Sequence, residues 1–557
     1  MTKTTNYSKI SIAILLTVAI IYIFSLLKFT INIPYEDDYL AILKYLNDFN
    51  ETTTIQEKIN LIFSQHNEHR IAFNRIIELI QLKIFGEVNF LFLTLFGNLG
   101  WFLVIYLLWR FSEKKGISLL EFSPVAVLLL SFSHNELMPW AMASIQQYYQ
   151  ILFSLLAIWF LVERKNGIAL LWLTTSMFTG SGGLVLIPVF ALYHLSKRDF
   201  KNLIIFTIYT SILLSIFFIA LEYKHPPHHP SILDALRKPL ALAQYFFVFL
   251  GSAFGSKNLA LASGLSLFLI FLINFRKAFV ELPFLFWSVI FIFGTALITG
   301  LARSGFGIEQ ALSSRYTHYS LMILALIYTQ YIYILIDKKK KLLLYFFLVF
   351  FTLLFSSWLI KGGETMNTRL NNLKNNGIYY TPSVQVAEEI LKKSHKNGHI
   401  KSLDHIKLPS RIFQVEAKNI SNVHCVSIDT QLNLCSNGET AHHSLPILVP
   451  SQQKSINING WTIDNNLKDG ACGAYITIND NKINLSLSER KDVSKAFSNP
   501  KYLMSGFNFN IDISKLPDGT YPLKLRTISS DCGGYYDTFE VDIVKGTHHH
   551  RTAPNQN

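Results

Sequence analysis

The chain has 557 residues, half of them hydrophobic and 16% charged, with a formal net charge of +13. Its charge gathers into short clusters between apolar runs of about 18 to 20 residues, the length a helix needs to cross a bilayer, which excludes a soluble globular enzyme. The charge divides as +9 up to Ile360 and +4 beyond. The basic residues flank apolar runs, where they act as topological anchors, so nucleic-acid binding is set aside.

The first apolar run, Ile10–Phe29, follows Lys3 and Lys9 without a small-residue cleavage site, and reads as a retained span. Further spans are expected at Phe90–Leu108, Leu119–Phe132, Tyr148–Val162, Ile168–Phe178, Leu184–Leu195, Leu203–Leu221, Leu259–Ile273, Pro283–Leu301, Tyr319–Ile336 and Leu342–Ile360, eleven in all. The clusters Arg110/Lys114/Lys115, Arg164/Lys165, Lys197/Arg198/Lys201, Arg276/Lys277 and Lys338–Lys341 then share one side with Lys3/Lys9. The positive-inside rule makes that side cytoplasmic, and an odd number of spans puts the C-terminal part outside. Leu240–Phe254 is apolar but would invert this pattern as a full span, so it reads as a re-entrant or interfacial helix.

From about Lys361 the composition shifts toward Asn, Asp, Ser and Gly. A helix near Ser383–Lys396 precedes alternating segments at Ser455–Ile463, Ala474–Ile478, Lys482–Leu487, Tyr521–Ile528 and Tyr536–Val544, separated by the turns Asn479-Asp480-Asn481 and Pro517-Asp518-Gly519. The expected fold is an α-helical polytopic membrane protein with a C-terminal extracytoplasmic β-sandwich. Its divisions are 1–360 for the membrane part, with a first outer loop at about 31–88, then 361–450 as a connecting region, 451–545 as the sandwich and 546–557 as a tail. The tail, with His548-His549-His550, carries no fold argument.

Cys425, Cys435, Cys472 and Cys532 all lie in the outer part. Two disulfides, most simply Cys425–Cys435 and Cys472–Cys532, suit an oxidising side; free buried thiols are the alternative, and zinc is disfavoured because no Cys-x-x-Cys occurs.

Candidate chemistry lies on the outer face. Glu36-Asp37-Asp38, between Tyr35 and Tyr39 directly after the first span, sets three carboxylates in one loop. Adjacent carboxylates raise one another's pKa, and one of them can take a proton from an attacking hydroxyl; a solvated acidic turn is the other reading. His66-Asn67-Glu68-His69-Arg70, with Arg75 and Glu78, is a second polar cluster. At helical spacing His66, His69 and Arg70 share a face, suited to an anion, a sugar or a metal, or to an interfacial structural cluster. Arg303 and Arg315, beside Tyr316 in the loop between the ninth and tenth spans, suit a lipid-linked phosphate or simply a headgroup.

Glu136, Trp140, Gln146 and Gln147 form an outer turn suited to a substrate groove or an interfacial belt. Gly180-Ser181-Gly182-Gly183 lacks the lysine of a phosphate-cradling loop and reads as a tight turn. His225-Pro226-Pro227-His228-His229 reads as a stiff loop before it reads as a metal site.

A first span followed at once by Glu36-Asp37-Asp38, then many spans and an outer C-terminal domain, resembles the GT-C membrane glycosyltransferases. The acidic loop, the 66–70 cluster, the 140–147 turn and Ser314-Arg315-Tyr316 are similar to bacterial and phage O-antigen glucosyltransferases of the serotype-converting Gtr type. Asn459-Gly460-Trp461, Arg490-Lys491-Asp492-Val493 and Ser505-Gly506-Phe507 resemble β-sandwich modules attached to such enzymes.

The resemblance implies a polyprenyl-phosphate-sugar donor, a lipid-linked or surface polysaccharide acceptor, and a multi-pass protein of the bacterial inner membrane with its C-terminal domain in the periplasm. It implies Asp37 or Asp38 as general base, Glu36 assisting, and Arg315, Arg303 and Arg70 on the donor phosphate. His66, Glu68, His69 and Arg75 join the substrate groove. A divalent metal at Glu36/Asp38 or His66/His69 stays open. The other classes are a flippase or transporter of lipid-linked sugars, and a non-catalytic polysaccharide-binding protein; no internal repeat favours transport.

Overall fold

The computed structural model describes residues 2–546 except 225–229, 337–340, 377–383, 402–422, 430, 438–440, 444, 479–480, 515 and 531–533. The His225–His229 loop, most of the Lys338–Lys341 cluster, the turn residues Asn479 and Asp480, Cys532 and the tail from 547 onward therefore lie outside the described residues. The chain divides into two compact units, one of residues 1–32, 37–367 and 396–399, the other of 33–36, 368–395 and 400–557.

The first unit is helical. Its main helices are α1 (Thr2–Phe29), α2 (Ala72–Phe85), α3 (Phe90–Lys114), α4 (Leu119–Leu129), α5 (Ala141–Val162), α6 (Asn166–Met177), α7 (Leu186–Ser196), α8 (Phe200–Ser215), α9 (Pro239–Leu250), α10 (Lys257–Ile273), α11 (Phe275–Glu281), α12 (Pro283–Arg303) and α13 (Thr317–Ile336). A last helix, α14 (Lys341–Asn376), follows. Local sequence sets several ends. Ser118 and Glu121 close a capping box on α4, Asn89 accepts the Phe92 N–H at the start of α3, and Gly86 ends α2 at φ +70°.

Among the described residues, six helices are by length and composition apolar enough to cross a membrane: α1, α3, α5, α8 with its continuation to Ala220, α12 and α14. The pair α10–α11, bent by 64°, makes a seventh if it is one span. The spans expected at Leu119–Phe132, Ile168–Phe178 and Leu184–Leu195 coincide with helices of 11, 12 and 11 residues. Each is about 17 Å long, short of the roughly 30 Å hydrocarbon core. Helix α9, inside the Leu240–Phe254 stretch, is also short, at 12 residues, and turns through Ser252–Phe254 into α10. It packs on α10 at backbone distance: a Cβ on Gly264 would stand 1.9 Å from the Phe247 carbonyl oxygen.

Helix α5 is the hub of this unit. In its most apolar stretch 72% of residues are buried, against 22% in α1 and α8. Phe96 stacks on Tyr149 and Trp101 on Tyr148, fixing α3 against α5, while Ser154 and Ser176 hydroxyls 2.8 Å apart join α5 to α6.

The second unit holds a β-sandwich. One sheet runs β10 (Asn481–Leu485), β9 (Gly473–Ile478), β13 (Gly519–Ile528), β14 (Tyr535–Lys545) and β5 (Ala441–His442), with β6 (Ile447–Val449) also on β14. The other runs β11 (Ser488–Glu489), β12 (Met504–Asp512), β7 (Ser455–Asp464), β3 (Val423–Ile428) and β4 (Leu432–Asn437), with β8 (Asp469–Gly470) on β7. Pairing is antiparallel except where β5 and β6 join β14. Alternate residues of both sheets, among them Ile456, Ile458, Phe507, Ile476, Leu525 and Phe539, meet in one core, as period-two burial requires.

The sandwich takes in strands from Val423, so β3, β4, β5 and β6, which fall in the expected connecting region, belong to it. Their runs are too short and too interrupted by polar residues to signal strands from sequence. Register sets Cys425 opposite Cys435 on β3 and β4, where they form a disulfide. Cys472 is disulfide-bonded as well.

Candidate functional site

A cavity of about 530 Å³ opens in the helical unit. Its wall has a charged part built from Asp37, Glu68, His69, Arg303 and Arg315, an amide-rich part on α5, and an apolar part that includes Leu184, Val185, Phe217, Phe218 and Ile298.

The charged part begins with a local backbone feature. His66-Asn67-Glu68-His69-Arg70 is a tight hairpin, β1 (Gln65–His66) on β2 (His69–Arg70), with Asn67 at φ +49°. Asparagine tolerates that left-handed conformation, and the turn sets Glu68 at its tip. The helical spacing expected for 66–70 is therefore corrected: strand pairing sets His66 opposite His69 and turns Arg70 to the other face.

Glu68 forms an ion pair with Arg303, at the end of α12, and lies 3.5 Å from His69 Nε2. His69 Nδ1 accepts the backbone N–H of Ser181 at 3.2 Å, which assigns the ring proton to Nε2, facing Glu68. Burial works against the charged form of Glu68, but His69 and Arg303 outweigh it and hold the carboxyl at about 2. Burial lowers His69, with Glu68 opposing. Asp37 is pushed up by burial, with Arg315 and His69 opposing. The wall thus presents one firmly ionised acid, already paired, and one acid whose proton affinity is raised, the electrostatic profile of a base.

The two aspartates part ways. Asp37 is on the cavity wall. Asp38 is buried at 1% exposure, and its Oδ1 accepts the Met142 backbone N–H at 2.9 Å in the first turn of α5. Trp140, the N-cap of α5, makes no side-chain cap of its own. Asp38 therefore caps α5 from another segment, where a carboxylate also suits the helix dipole. Glu36, at φ +47°, belongs to the other unit and is not among the lining residues.

Arg70 is corrected as a phosphate ligand. Nε, Nη1 and Nη2 donate to the carbonyls of Phe217, Phe63 and Leu221 at 2.8 to 2.9 Å, and the side chain is fully buried away from the cavity. Arg75 is corrected likewise: Nη1 donates to the carbonyls of Leu61 and Ser64 and to Ser64 Oγ, and the guanidinium lies over Tyr45. His66 is buried and absent from the wall, and burial with the nearby Arg75 lowers it to about 3. Glu136 is not among the lining residues; it accepts from Ser314 Oγ at 3.1 Å, with Arg315 Nε 4.0 Å away.

Trp140, Gln146, Gln147, Arg303, Arg315 and Tyr316 do line the cavity. Gln150 and Tyr319, not among the residues expected from sequence, join them: Tyr319 OH donates to Gln150 Oε1 at 2.7 Å. Gln150 lies one turn beyond Gln146, a period-four signal within an apolar helix that was legible in the sequence. Gly180-Ser181-Gly182-Gly183 is a turn on the cavity wall, and a Cβ on Gly182 would meet Gln150 Oε1 at 2.9 Å.

The expected metal positions do not fit an ion. Asp38 Oδ1 is committed to a backbone N–H, His69 Nδ1 to Ser181 and Glu68 to Arg303; no three His, Cys, Asp or Glu side chains converge among the described residues. Compared with protein-family models, curated proteins and solved structures, the chain matches none.

Proposed function

We propose that this is a membrane glycosyltransferase of the GT-C type, moving a sugar from a polyprenyl-phosphate donor to O-antigen or a related surface polysaccharide at the outer face of the bacterial inner membrane. The observation that carries the reading is one cavity holding Asp37, two arginines and an apolar wall. A lipid phosphate needs cation and hydrocarbon side by side, and an acceptor hydroxyl needs a base.

Asp37 takes the proton of the acceptor hydroxyl as its oxygen bonds to the anomeric carbon. The bond from that carbon to the phosphate oxygen breaks, and polyprenyl phosphate departs with the electron pair. Arg315, exposed and held by Ser313 Oγ at 3.1 Å with the Glu136 carboxylate 4.0 Å away, is the first guanidinium to meet the phosphate. Arg303 follows when the phosphate displaces Glu68. Charge developing on the leaving phosphate is where such fixed donors act, each worth on the order of 3 kcal/mol, about a hundredfold in rate.

The test is to incubate the purified protein with synthetic polyprenyl-phosphate-glucose and lipopolysaccharide or its lipid-linked precursor, following sugar transfer and polyprenyl phosphate release by mass spectrometry. Coupled transfer and release are expected. Neither event, with glucose or any other sugar on the same lipid, would shift the assignment to transport or binding.

A further inference from the structure

The charged groups on the cavity wall come from the first outer loop, the end of α12 and Arg315; helix α5 contributes amides. Met142, Gln146 and Gln150 recur every fourth residue and all line the cavity, so they form one row, each step about 6 Å deeper than the last. Asp38 holds the top of this row by capping α5.

The members of the row differ in how their hydrogen bonds are spent. Gln150 is fixed: Oε1 accepts from Tyr319 OH at 2.7 Å and Nε2 donates to Ser154 Oγ at 3.2 Å. Gln146, only 4% exposed, has an Nε2 with no hydrogen-bond partner among the described residues. A buried amide donor is normally paired, and one left unpaired in a residue of the cavity wall is offered to a ligand acceptor by a turn of the side chain. Gly180 is its neighbour on the wall: a Cβ there would stand in ordinary contact with Gln146 Nε2, at 3.7 Å.

Resting on the glycosyltransferase reading above, we infer that this amide row is the subsite for an uncharged pyranose ring of the donor, with Gln146 Nε2 donating to one ring hydroxyl and so setting sugar specificity. A pyranose is about one helical turn across and carries neutral hydroxyls that both donate and accept. Neutral amides match it, whereas a phosphate or a uronate is matched by the guanidiniums at the charged part. Gln150, already satisfied, holds the floor of the subsite through Tyr319.

The experiment measures binding to protein in lipid nanodiscs by native mass spectrometry, using polyprenyl phosphate alone, its neutral hexosyl forms, a uronosyl form and single-position deoxy-hexosyl analogues. The wild type is expected to prefer a neutral hexosyl lipid and to lose about tenfold in affinity for one deoxy analogue only. Gln146→Leu is expected to lose the same factor for the full hexosyl lipid, to be indifferent to that deoxy position, and to bind bare polyprenyl phosphate as the wild type does. Gln146→Glu, which keeps the shape but replaces the donor, reports the same loss if the leucine variant misfolds.

Equal affinity of the variants and wild type for the hexosyl lipid, or a wild-type preference for the uronosyl form, overturns the subsite while leaving the donor lipid assignment intact. A wild type that binds none of the lipids overturns the glycosyltransferase reading and the subsite with it.

Discussion

The Asp38 carboxylate accepts the backbone N–H of Met142 at 2.9 Å, joining two positions 104 residues apart in sequence. One aspartate of an adjacent pair is thereby committed to holding the helix that carries Gln146 and Gln150, while its neighbour Asp37 faces the cavity.

Substitutions at the two aspartates should separate in kind. Asp38→Ala removes a cap and is expected to cost about 1 kcal/mol of stability, lowering the detergent-solubilised melting temperature. Asp37→Asn should leave that temperature within a degree or two and reduce transfer at least about a hundredfold. Thermal unfolding and turnover of the same preparations check both; if Asp37→Asn retained turnover, the base assignment would fail.

Asp37 and Glu68 predict opposite pH behaviour. Burial raises Asp37, and a base works deprotonated, so turnover should fall with decreasing pH at a midpoint above the ordinary carboxylate value near 3.9. A raised folded pKa also means that this group's contribution disfavours the fold as pH rises through that range. Glu68 is held at about 2, so the stability from its pairing is full above its unfolded value near 4.3 and is lost as pH falls toward 2. Melting curves of wild type and Glu68→Gln from pH 3 to 6 should converge at the acid end.

Glu68→Gln should also free Arg303 for the lipid phosphate. Bare polyprenyl phosphate is then expected to inhibit transfer at a concentration several-fold below that needed for the wild type. An unchanged inhibition constant would show that the ion pair does not compete with the ligand.

The arginines should sort by what they already hold. Arg70→Ala leaves three carbonyls without their charged donor, and bonds of that type are worth about 1.5 to 3 kcal/mol each, so loss of folded protein is expected. Arg315→Ala, at a side chain 46% exposed, should fold normally and lose turnover. Size-exclusion yield and initial rates distinguish the two outcomes.

The contact of α9 with α10 allows no Cβ. Gly264→Ala sets a methyl against the Phe247 carbonyl and should destabilise by about 1 to 3 kcal/mol, read as a lower melting temperature. A melting temperature equal to the wild type's would mean that the two helices separate at little cost.

What the sequence determined by itself is what repeats along the chain. Apolar runs near the length of a bilayer mark α1, α3, α5, α8 and α12, and alternation marks β7, β9, β13 and β14, because burial on one face or all round leaves a period in the residues themselves. The acidic loop and the arginines near 303 and 315 were legible too, since charge beside apolar runs is costly and stands out.

Only tertiary structure decided which of these groups meet. Asp37 and Asp38 are identical in type and adjacent in sequence, and the Met142 N–H that commits one of them comes from a remote helix. Arg70 and Arg303 look alike as flanking arginines, yet one is spent on backbone carbonyls of another segment and the other reaches the cavity. Hydrogen bonds between segments tens to hundreds of residues apart leave no period in the sequence; they depend on where the packed helices bring donor and acceptor together.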